Sequence, residues 1–218
     1  LAVEAKPKKA VRLLNPAASS RSPGTVRNAS EADVQAALDN AAVWDAPLEH
    51  RQEVLLRAAD MLESHYGEIF ALLAREAGKG LPDCVAELRE AVDFLRYYAC
   101  QATNTPPAGR FTCISPWNFP LAIFCGQVSA ALAAGNAVLA KPAEQTPLIA
   151  FLATSLLHEA GVPRAVLQLL PGGGDVGAAL VSDPRINGVA FTGSTGTTLR
   201  IRETMAKHCT PGTTLIAE

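Results

Sequence analysis

The chain has 218 residues, of which 49% are hydrophobic and 18% are charged, and its formal net charge is −2. This composition supplies a sizeable hydrophobic core for one large domain or two small ones, and it argues against a disordered chain. The slightly acidic balance argues against a nucleic-acid-binding surface. The short basic run KPKK at 6–9 is interpreted as a solvated tail rather than a binding patch.

The cysteines favour neither a disulfide framework nor a zinc site, because their number is odd and no C-x-x-C spacing occurs. This usage is typical of a reducing compartment, so we expect a cytoplasmic location. The five residues are Cys84, Cys100, Cys113, Cys125 and Cys209.

Residues 121–140 carry no charge over a length that is enough to span a membrane. Gln127 and Ser129 interrupt the apolar run, and Gly135 with Asn136 breaks it before a Val/Leu-rich end. We therefore predict a buried helix followed by a buried strand, and no membrane association.

The first half of the chain predicts an irregular arm and then a layer of helices. Residues 1–29 have scattered Pro, Ser and Gly and are interpreted as the arm. Ser30 has the character of an N-cap that starts a first helix. A second, long helical pattern begins near Pro47 and is broken at Gly78, and Pro82 starts a third helix.

From residue 110 onward, short apolar runs alternate with helical segments. Thr146 is a candidate helix cap, and Pro120 and Pro147 stand where a first-turn proline is tolerated. Alternating strands and helices imply right-handed crossovers and a parallel sheet covered on both faces. We predict an α/β fold, a Rossmann-like doubly wound parallel sheet preceded by a helical layer. Its strands are 110–115, 137–140, 166–170, 187–191 and 213–217, and its helices are 121–134, 147–160, 175–182 and 195–206.

In such a sheet, the ligand crevice lies beyond the carboxyl ends of the strands. All five predicted strands are followed by polar, glycine or rigid residues of the kind that a binding site needs. This pattern predicts a ligand site on the domain. The residues concerned are Pro116-Trp117-Asn118, Lys141-Pro142-Ala143-Glu144, Pro171-Gly172-Gly173-Gly174, Thr192-Gly193-Ser194-Thr195 and Glu218.

Two glycine-containing segments are alternative phosphate sites. GGGDVG at 172–177 fits the G-x-G-x-x-G pattern, but no acidic residue stands at 190–200 where the dinucleotide fingerprint needs one. A glycine-rich turn that lets another group approach the backbone is the other interpretation. In FTGSTG at 191–196, Ser194 starts a helix whose N-terminus favours an anion, although an ordinary N-cap serine is the more common explanation of such a residue.

Five side chains at the strand ends have functional or structural interpretations. Lys141 and Glu144 are suited to holding the hydroxyls of a ribose, or else they are a lysine that extends to water and a solvated carboxylate. Asn118 is either a turn residue or a donor to an oxyanion. Trp117 is by default a core anchor. Glu218, if it is buried, is a candidate general base.

The motifs PWNFP, KPAEQTP, FTGST and LIAE occur in this order, at residues 116–120, 141–147, 191–195 and 215–218. Together they resemble the aldehyde dehydrogenase superfamily. The run at 113–150 is similar to the L-glutamate γ-semialdehyde (1-pyrroline-5-carboxylate) dehydrogenases, especially the dehydrogenase module of bifunctional proline utilisation proteins. The resemblance covers roughly residues 11–218. It implies a dinucleotide partner, NAD with NADP as the alternative, and an aldehyde substrate.

The resemblance also assigns roles to residues. Asn118 matches the oxyanion-hole asparagine, and Glu218 matches the glutamate that activates water. Lys141 and Glu144 match residues that hold the adenosine ribose. In the family, a cysteine thiolate attacks the aldehyde, a hydride passes to the nicotinamide, and water hydrolyses the thioester. The remaining matches are Gly193 and Ser194 at the pyrophosphate, and Ile114, Ser115, Pro116, Trp117, Gly172 and Phe191 along the wall beside the cofactor.

The chain departs from the family at its end. The family's nucleophilic cysteine lies beyond the matched glutamate, and none of the five cysteines here stands in its position; Cys113 is interpreted as a small core residue. We expect residues 30–218 to form an incomplete NAD-binding domain without the nucleophile-bearing domain, inactive on aldehydes unless the missing half is supplied. Gly196 and Thr197 replace common family residues, so the adenine side of the site is expected to differ.

A second hypothesis belongs to another class of protein. The chain is then a non-catalytic interaction or structural module that pairs with another chain. In either case we expect an exposed apolar face, and formation of a homo-oligomer is one way to cover it.

Overall fold

The computed structural model describes residues 9–218, so the basic run at 6–9 lies outside the described residues except for Lys9. Two short strands, β1 (Val11–Arg12) and β2 (Thr25–Val26), pair in antiparallel orientation within the segment that was predicted to be irregular. Each strand has only two residues, and such a length is too short to produce a recognisable alternation of apolar and polar side chains.

A layer of four helices follows, where the sequence predicts three. Helix α1 begins with a capping box, in which Asp33 donates its N–H to Ser30 Oγ and accepts the N–H of Ser30, as the predicted N-cap implies. The prediction of a single second helix was wrong. The helix divides at His65, which lies between α2 and α3 and whose Nδ1 atom is 2.8 Å from the Met61 carbonyl oxygen. The helices are α1 (Glu31–Asn40), α2 (Leu48–Ser64), α3 (Tyr66–Glu76) and α4 (Leu81–Gln101).

The second half of the chain forms a parallel five-stranded sheet in the order β5-β4-β3-β6-β7. Its strands are β3 (Arg110–Ile114), β4 (Ala137–Lys141), β5 (Leu167–Leu169), β6 (Gly188–Phe191) and β7 (Thr214–Ala217). The helices between them are α5 (Ala122–Ala133), α6 (Pro147–Ala160), α7 (Gly174–Val181) and α8 (Thr195–His208). All nine elements were predicted, with bounds that agree to within about two residues.

Hydrophobic residues cover both faces of the sheet. Along β4, Val138 and Ala140 belong to the core shared with α2, α4, α5 and α6, whereas Ala137 and Leu139 belong to the core shared with α1, α7 and α8. Successive side chains of a strand point to opposite faces, so every residue of this strand is buried. The predicted doubly wound α/β fold is therefore confirmed.

The uncharged stretch at 121–140 forms α5 and β4, as predicted, and both elements lie within the domain core. Among residues 9–218, no helix combines the length and the apolarity that crossing a bilayer requires.

A glutamate from the helical layer caps α6 instead of the predicted Thr146. Thr146 occupies the N-cap position, but its side chain makes no capping hydrogen bond. Glu76 accepts the N–H groups of Leu148 at 2.7 Å and Ile149 at 3.0 Å. Burial raises the pKa of Glu76 to about 7, against the opposing effect of these two hydrogen bonds. The helical layer is therefore joined to the sheet domain by a buried carboxylate.

Candidate functional site

The strand order places a crevice at the centre of the sheet. From β3 the chain moves outward to β4 and β5, and it then returns to the other side of β3 to form β6 and β7. At such a switch point the connections leave the sheet on opposite faces, and a crevice opens beyond the carboxyl ends of the strands. A cavity of about 880 Å³ occupies this position. Its volume lies in the range of sites that hold small molecules and cofactors.

The crevice brings together every residue that the sequence predicts for the site except Gly172. The predicted residues that line it are Ile114, Ser115, Pro116, Trp117, Asn118, Lys141, Glu144, Phe191, Gly193, Ser194 and Glu218. Residues from the ends of four strands, β3, β4, β6 and β7, therefore share one crevice.

The turn PWNFP projects from the end of β3 to the rim of the crevice. Trp117 is 56% exposed there, and the core-anchor interpretation was wrong; Trp44, at 4% exposure, is the tryptophan of the core. Asn118 is exposed, and its side chain makes no hydrogen bond within residues 9–218. Its amide is therefore available to a ligand, and the interpretation of Asn118 as a turn-stabilising side chain has no support.

Ser115 contributes a buried hydroxyl group to the crevice. It is 4% exposed, and no described residue forms a hydrogen bond with its Oγ atom. Its main-chain N–H donates to the Lys141 carbonyl oxygen at 3.3 Å, which ties the start of the turn to the end of β4. A buried hydroxyl without a protein partner is unusual in a folded domain, and at a ligand crevice it offers a contact for a polar group.

Lys141 forms part of the crevice wall and does not extend to water. It is 5% exposed, and its Nζ atom donates to the Pro142 carbonyl oxygen at 2.8 Å. Burial lowers the pKa of Lys141, while the negative charges of Glu144 and Asp175 oppose that shift. Gly177 lies against the lysine stem, since a Cβ atom at Gly177 would be 3.4 Å from Lys141 Cδ. The lysine is therefore held in one position beside the exposed Glu144.

The N-terminus of α8 faces the same crevice. Ser194 Oγ accepts the N–H of Thr197 at 3.3 Å, so Ser194 is the N-cap of α8. Within residues 9–218 no acceptor bonds to the N–H groups of Thr195 and Gly196. These donors and the helix dipole make the position favourable for an anion.

Glu218 lies beside this helix and is exposed. The burial on which its interpretation as a general base depends is therefore absent. Within residues 9–218, strand β7 lies at the edge of the sheet and pairs with β6 alone, which leaves Glu218 exposed. The Glu218 carbonyl oxygen accepts the N–H of Gly193 at 3.0 Å, and its own N–H donates to the Phe191 carbonyl oxygen. These two hydrogen bonds hold the backbone of Glu218 at the wall of the crevice.

The glycine-rich segment divides into structural and crevice positions. A Cβ atom at Gly172 would lie 2.3 Å from Val176 Cγ2, so this glycine permits close packing of the first turn of α7 and does not line the crevice. Gly174 and Gly177, the later glycines of the GGGDVG segment, do line it. The predicted contribution of Gly172 to the cofactor wall is therefore not supported by its position.

Sequence reasoning missed the residues of α7 and α8 that face the crevice. They recur at helical spacing, and this spacing is the signal from which they were predictable once the strand ends were known. Of the two residues that the sequence relates to the adenine side, Thr197 lines the crevice, whereas Gly196 does not and has open space around it. The missed residues are Ala178, Val181, Arg200, Ile201 and Thr204, with Gln145 after β4.

Two charged residues behind the PWNFP turn were also missed. Glu87, which is 1% exposed, accepts the N–H groups of Leu121 at 2.8 Å and Ala122 at 3.3 Å at the start of α5. Lys79 forms an ion pair with Glu87, and its Nζ atom lies 4.2 Å from the centre of the Phe119 ring. No pattern in the sequence relates these two helix-layer residues to a turn that is more than thirty positions away.

The expected exposed apolar face is present beside Glu218. A hollow of about 360 Å³ lies between α4, α5 and the last strands, lined mainly by Phe94, Tyr98, Phe111 and Ile216. Ile216 is 53% exposed. This hollow and the crevice meet at Phe191, Thr192 and Glu218, which line both.

None of the five cysteines lines the crevice. Cys113 and Cys125 are buried, and burial raises the pKa of each thiol to about 12, which confirms Cys113 as a core residue. Burial also raises the pKa of Cys84 and Cys209, and only Cys100 is exposed. A thiolate nucleophile is therefore not available at the crevice from these residues.

The fold and the crevice define an α/β domain of the doubly wound, ligand-binding class. Residues 2–216 match the aldehyde dehydrogenase family, and the chain belongs to that family. It is 52% identical to the bifunctional protein PutA of Klebsiella aerogenes over 94% of the chain and 17% of that protein. It is 38% identical to the 1-pyrroline-5-carboxylate dehydrogenase of Anoxybacillus flavithermus over 89% of the chain and 42% of that protein.

A solved structure gives the same assignment. A variant of the 1-pyrroline-5-carboxylate dehydrogenase of Thermus thermophilus superposes with a TM-score of 0.89 at 36% identity, covering 99% of this chain and 47% of that chain. The predicted family and branch are therefore confirmed. The chain spans less than half of the length of these relatives. The family uses NAD or NADP and acts on aldehydes.

Proposed function

We propose that the chain is the dinucleotide-binding part of an enzyme that oxidises L-glutamate γ-semialdehyde to glutamate. The single observation that carries the proposal is the convergence of Asn118, Lys141, Glu144, Ser194 and Glu218 on one crevice at the switch point of the sheet. The printed names of the relatives, a bifunctional PutA and a 1-pyrroline-5-carboxylate dehydrogenase, supply the substrate class.

The residues present fit three kinds of contact with a dinucleotide: hydrogen-bond donors, charged groups for the ribose, and an apolar slot for a base. The orphaned Ser115 hydroxyl and the N-terminal N–H groups of α8 offer donors, the latter for a pyrophosphate. Lys141 and the exposed Glu144 offer a cation and a carboxylate for ribose hydroxyls. The inward faces of α7 and α8, including Val181 and Ile201, offer an apolar slot for a base.

The proposed cofactor is NAD. When bound, it would accept the hydride that leaves the aldehyde carbon. Asn118 would donate its amide N–H to the oxygen that becomes negative, and Glu218 would accept a proton from water. Glu144 favours NAD over NADP, because a ribose 2′-phosphate beside a carboxylate is repelled.

We propose further that the 218-residue chain does not oxidise aldehydes by itself. This follows from the cysteines, since none reaches the crevice and the thiols of Cys113 and Cys125 are protonated and buried. The second candidate function, a non-catalytic module that pairs with another chain, is favoured by the apolar hollow beside Glu218. The two candidates differ in whether the crevice is used.

Calorimetric titration of the pure chain with NAD and with NADP distinguishes them. Saturable heat with NAD, and weaker binding of NADP, is expected if the crevice holds the cofactor. No heat with either dinucleotide at millimolar concentration would contradict the proposal and favour the non-catalytic module. Formation of NADH from glutamate γ-semialdehyde by the chain alone would contradict the proposed inactivity.

A further inference from the structure

We propose that Lys79 and Glu87 are positioning residues for Asn118. The inference rests on the proposed function, because only in an aldehyde dehydrogenase does the Asn118 amide have an oxyanion to meet. Neither residue touches the crevice, and both act on the chain that follows Asn118.

The turn is held on both sides of Asn118. Before it, the N–H of Ser115 is bonded to the end of β4. After it, the Phe119 ring lies against Lys79, and the N–H groups of Leu121 and Ala122 are bonded to Glu87. Asn118 itself is exposed and makes no side-chain hydrogen bond within residues 9–218. Its position therefore depends on these flanking attachments and not on a side-chain hydrogen bond of its own.

Glu87 replaces an ordinary N-cap at α5. Leu121, the residue at the N-cap position, has no side-chain oxygen, so the first N–H groups of the helix need an acceptor from elsewhere. The buried carboxylate supplies it, and its negative charge is favourable at a helix N-terminus. Because α5 begins four residues after Asn118, the cap also restrains the position of the turn relative to the sheet.

Lys79 connects the capping glutamate to the turn, and capping of α5 alone does not require this connection. Its ammonium group pairs with Glu87 and also lies over the ring of Phe119, the residue next to Asn118. Gly78, with φ of +70°, turns the chain at the end of α3 so that Lys79 reaches this place. One cation therefore joins the cap of α5 to the tip of the turn.

Glu76 is a natural control for this arrangement. It caps α6 with two N–H hydrogen bonds of similar length, and it is also buried. It has no lysine partner and no contact with the turn among the described interactions. If Glu87 only stabilises a helix, loss of either glutamate should have the same kind of effect.

The test is a measurement of backbone order at the turn in the full 218-residue chain without dinucleotide. Nuclear magnetic resonance relaxation should give order parameters of about 0.85 for the Asn118 and Phe119 amides. Lys79→Met keeps the aliphatic stem but removes the cation, and the order parameters should fall below about 0.6. Lys79→Arg, which preserves the charge and the ring contact, should restore them.

Two further variants complete the experiment. Glu76→Gln should destabilise the fold and leave the order of Asn118 and Phe119 unchanged. Phe119→Leu, at a partly exposed position, should fold and loosen the turn while the Lys79–Glu87 pair persists, even if Lys79→Met fails to fold. Unchanged order in Lys79→Met or Phe119→Leu, or an equal loss of order in Glu76→Gln, would overturn the proposal.

These outcomes are independent of the proposed cofactor. The order parameters are measured in the absence of dinucleotide, whereas calorimetry reports on the Lys141 and Ser194 side of the crevice. A rigid, Lys79-dependent turn together with no binding of NAD would contradict the proposed function alone. Binding of NAD together with a turn that is insensitive to Lys79 would contradict the positioning role alone.

Discussion

The Oε1 atom of Glu76 accepts the main-chain N–H of Leu148 at 2.7 Å, so a buried carboxylate from α3 caps α6. Burial raises the pKa of this carboxyl from 4.5 to about 7. The folded chain therefore binds more protons than the unfolded chain between these values. The contribution of Glu76 to stability is greatest below pH 4.5 and decreases as the pH rises to about 7.

We predict that the free-energy difference of unfolding between the natural chain and Glu76→Gln depends on pH in this interval. The pKa difference corresponds to roughly 3 kcal/mol, which the natural chain should lose relative to the variant between about pH 4.5 and pH 7. Urea unfolding of both proteins across this range is the measurement. Two curves that remain parallel would show that Glu76 titrates with its ordinary pKa in the folded chain.

Two substitutions in the glycine-rich segment should differ in their effect on the free energy of unfolding. Gly172→Ala should lower the free energy of unfolding by about 1–3 kcal/mol, because its Cβ atom would lie 2.3 Å from Val176 Cγ2. Gly174→Ala meets no atom within 4 Å and should change it by no more than about 0.5 kcal/mol. Denaturant unfolding of the pair tests this, and equal stability of the two variants would contradict the assigned packing role of Gly172.

Trp117 should report ligand binding by fluorescence. The chain has two tryptophans, of which Trp117 lines the crevice and Trp44 is buried in the core. Addition of NAD should change the emission of the natural chain and of Trp44→Phe. In Trp117→Phe it should have no effect beyond absorption of the exciting light. An equal response in Trp117→Phe would place the ligand away from this rim.

The thiols should react with a disulfide reagent in a defined order. Cys100 is exposed, whereas burial raises the pKa of Cys113 and Cys125 to about 12 and keeps them protonated. We predict a fast phase that disappears in Cys100→Ser and is not slowed by NAD. Reaction of Cys113 or Cys125 is expected only on unfolding. Protection of a fast thiol by NAD would instead place a cysteine at the crevice.

The sheet and most of the crevice were predictable because they depend on local signals. Apolar runs such as 137–140 bounded by Gly135 and Lys141 specify a buried strand, and parallel strands must present their carboxyl ends at one edge. The family motifs then assigned roles to residues that already lay at those ends. These predictions required no knowledge of which strands are neighbours.

The remaining features depend on contacts between distant segments. The caps of α5 and α6 come from Glu87 and Glu76, which lie far from these helices in the sequence. The residues next to α6 indicated Thr146 as its cap instead. For Trp117, burial propensity alone indicated the core, whereas the family motif placed it at the cofactor wall, and Trp117 lies at the rim of the crevice. The interpretation of Glu218 as a general base depended on its burial, and its exposure follows from the position of β7 at the edge of the described sheet.

The central claim is that the crevice holds a dinucleotide through Lys141, Glu144 and the N-terminus of α8. Calorimetric titration of NAD into Glu144→Ala and Glu159→Ala tests it most directly. Both are exposed glutamates, and Glu159 lies away from the crevice. The account predicts roughly tenfold weaker binding in Glu144→Ala, as expected for a lost hydrogen bond to a charged group, and unchanged binding in Glu159→Ala. Equal affinities of the two variants would contradict it.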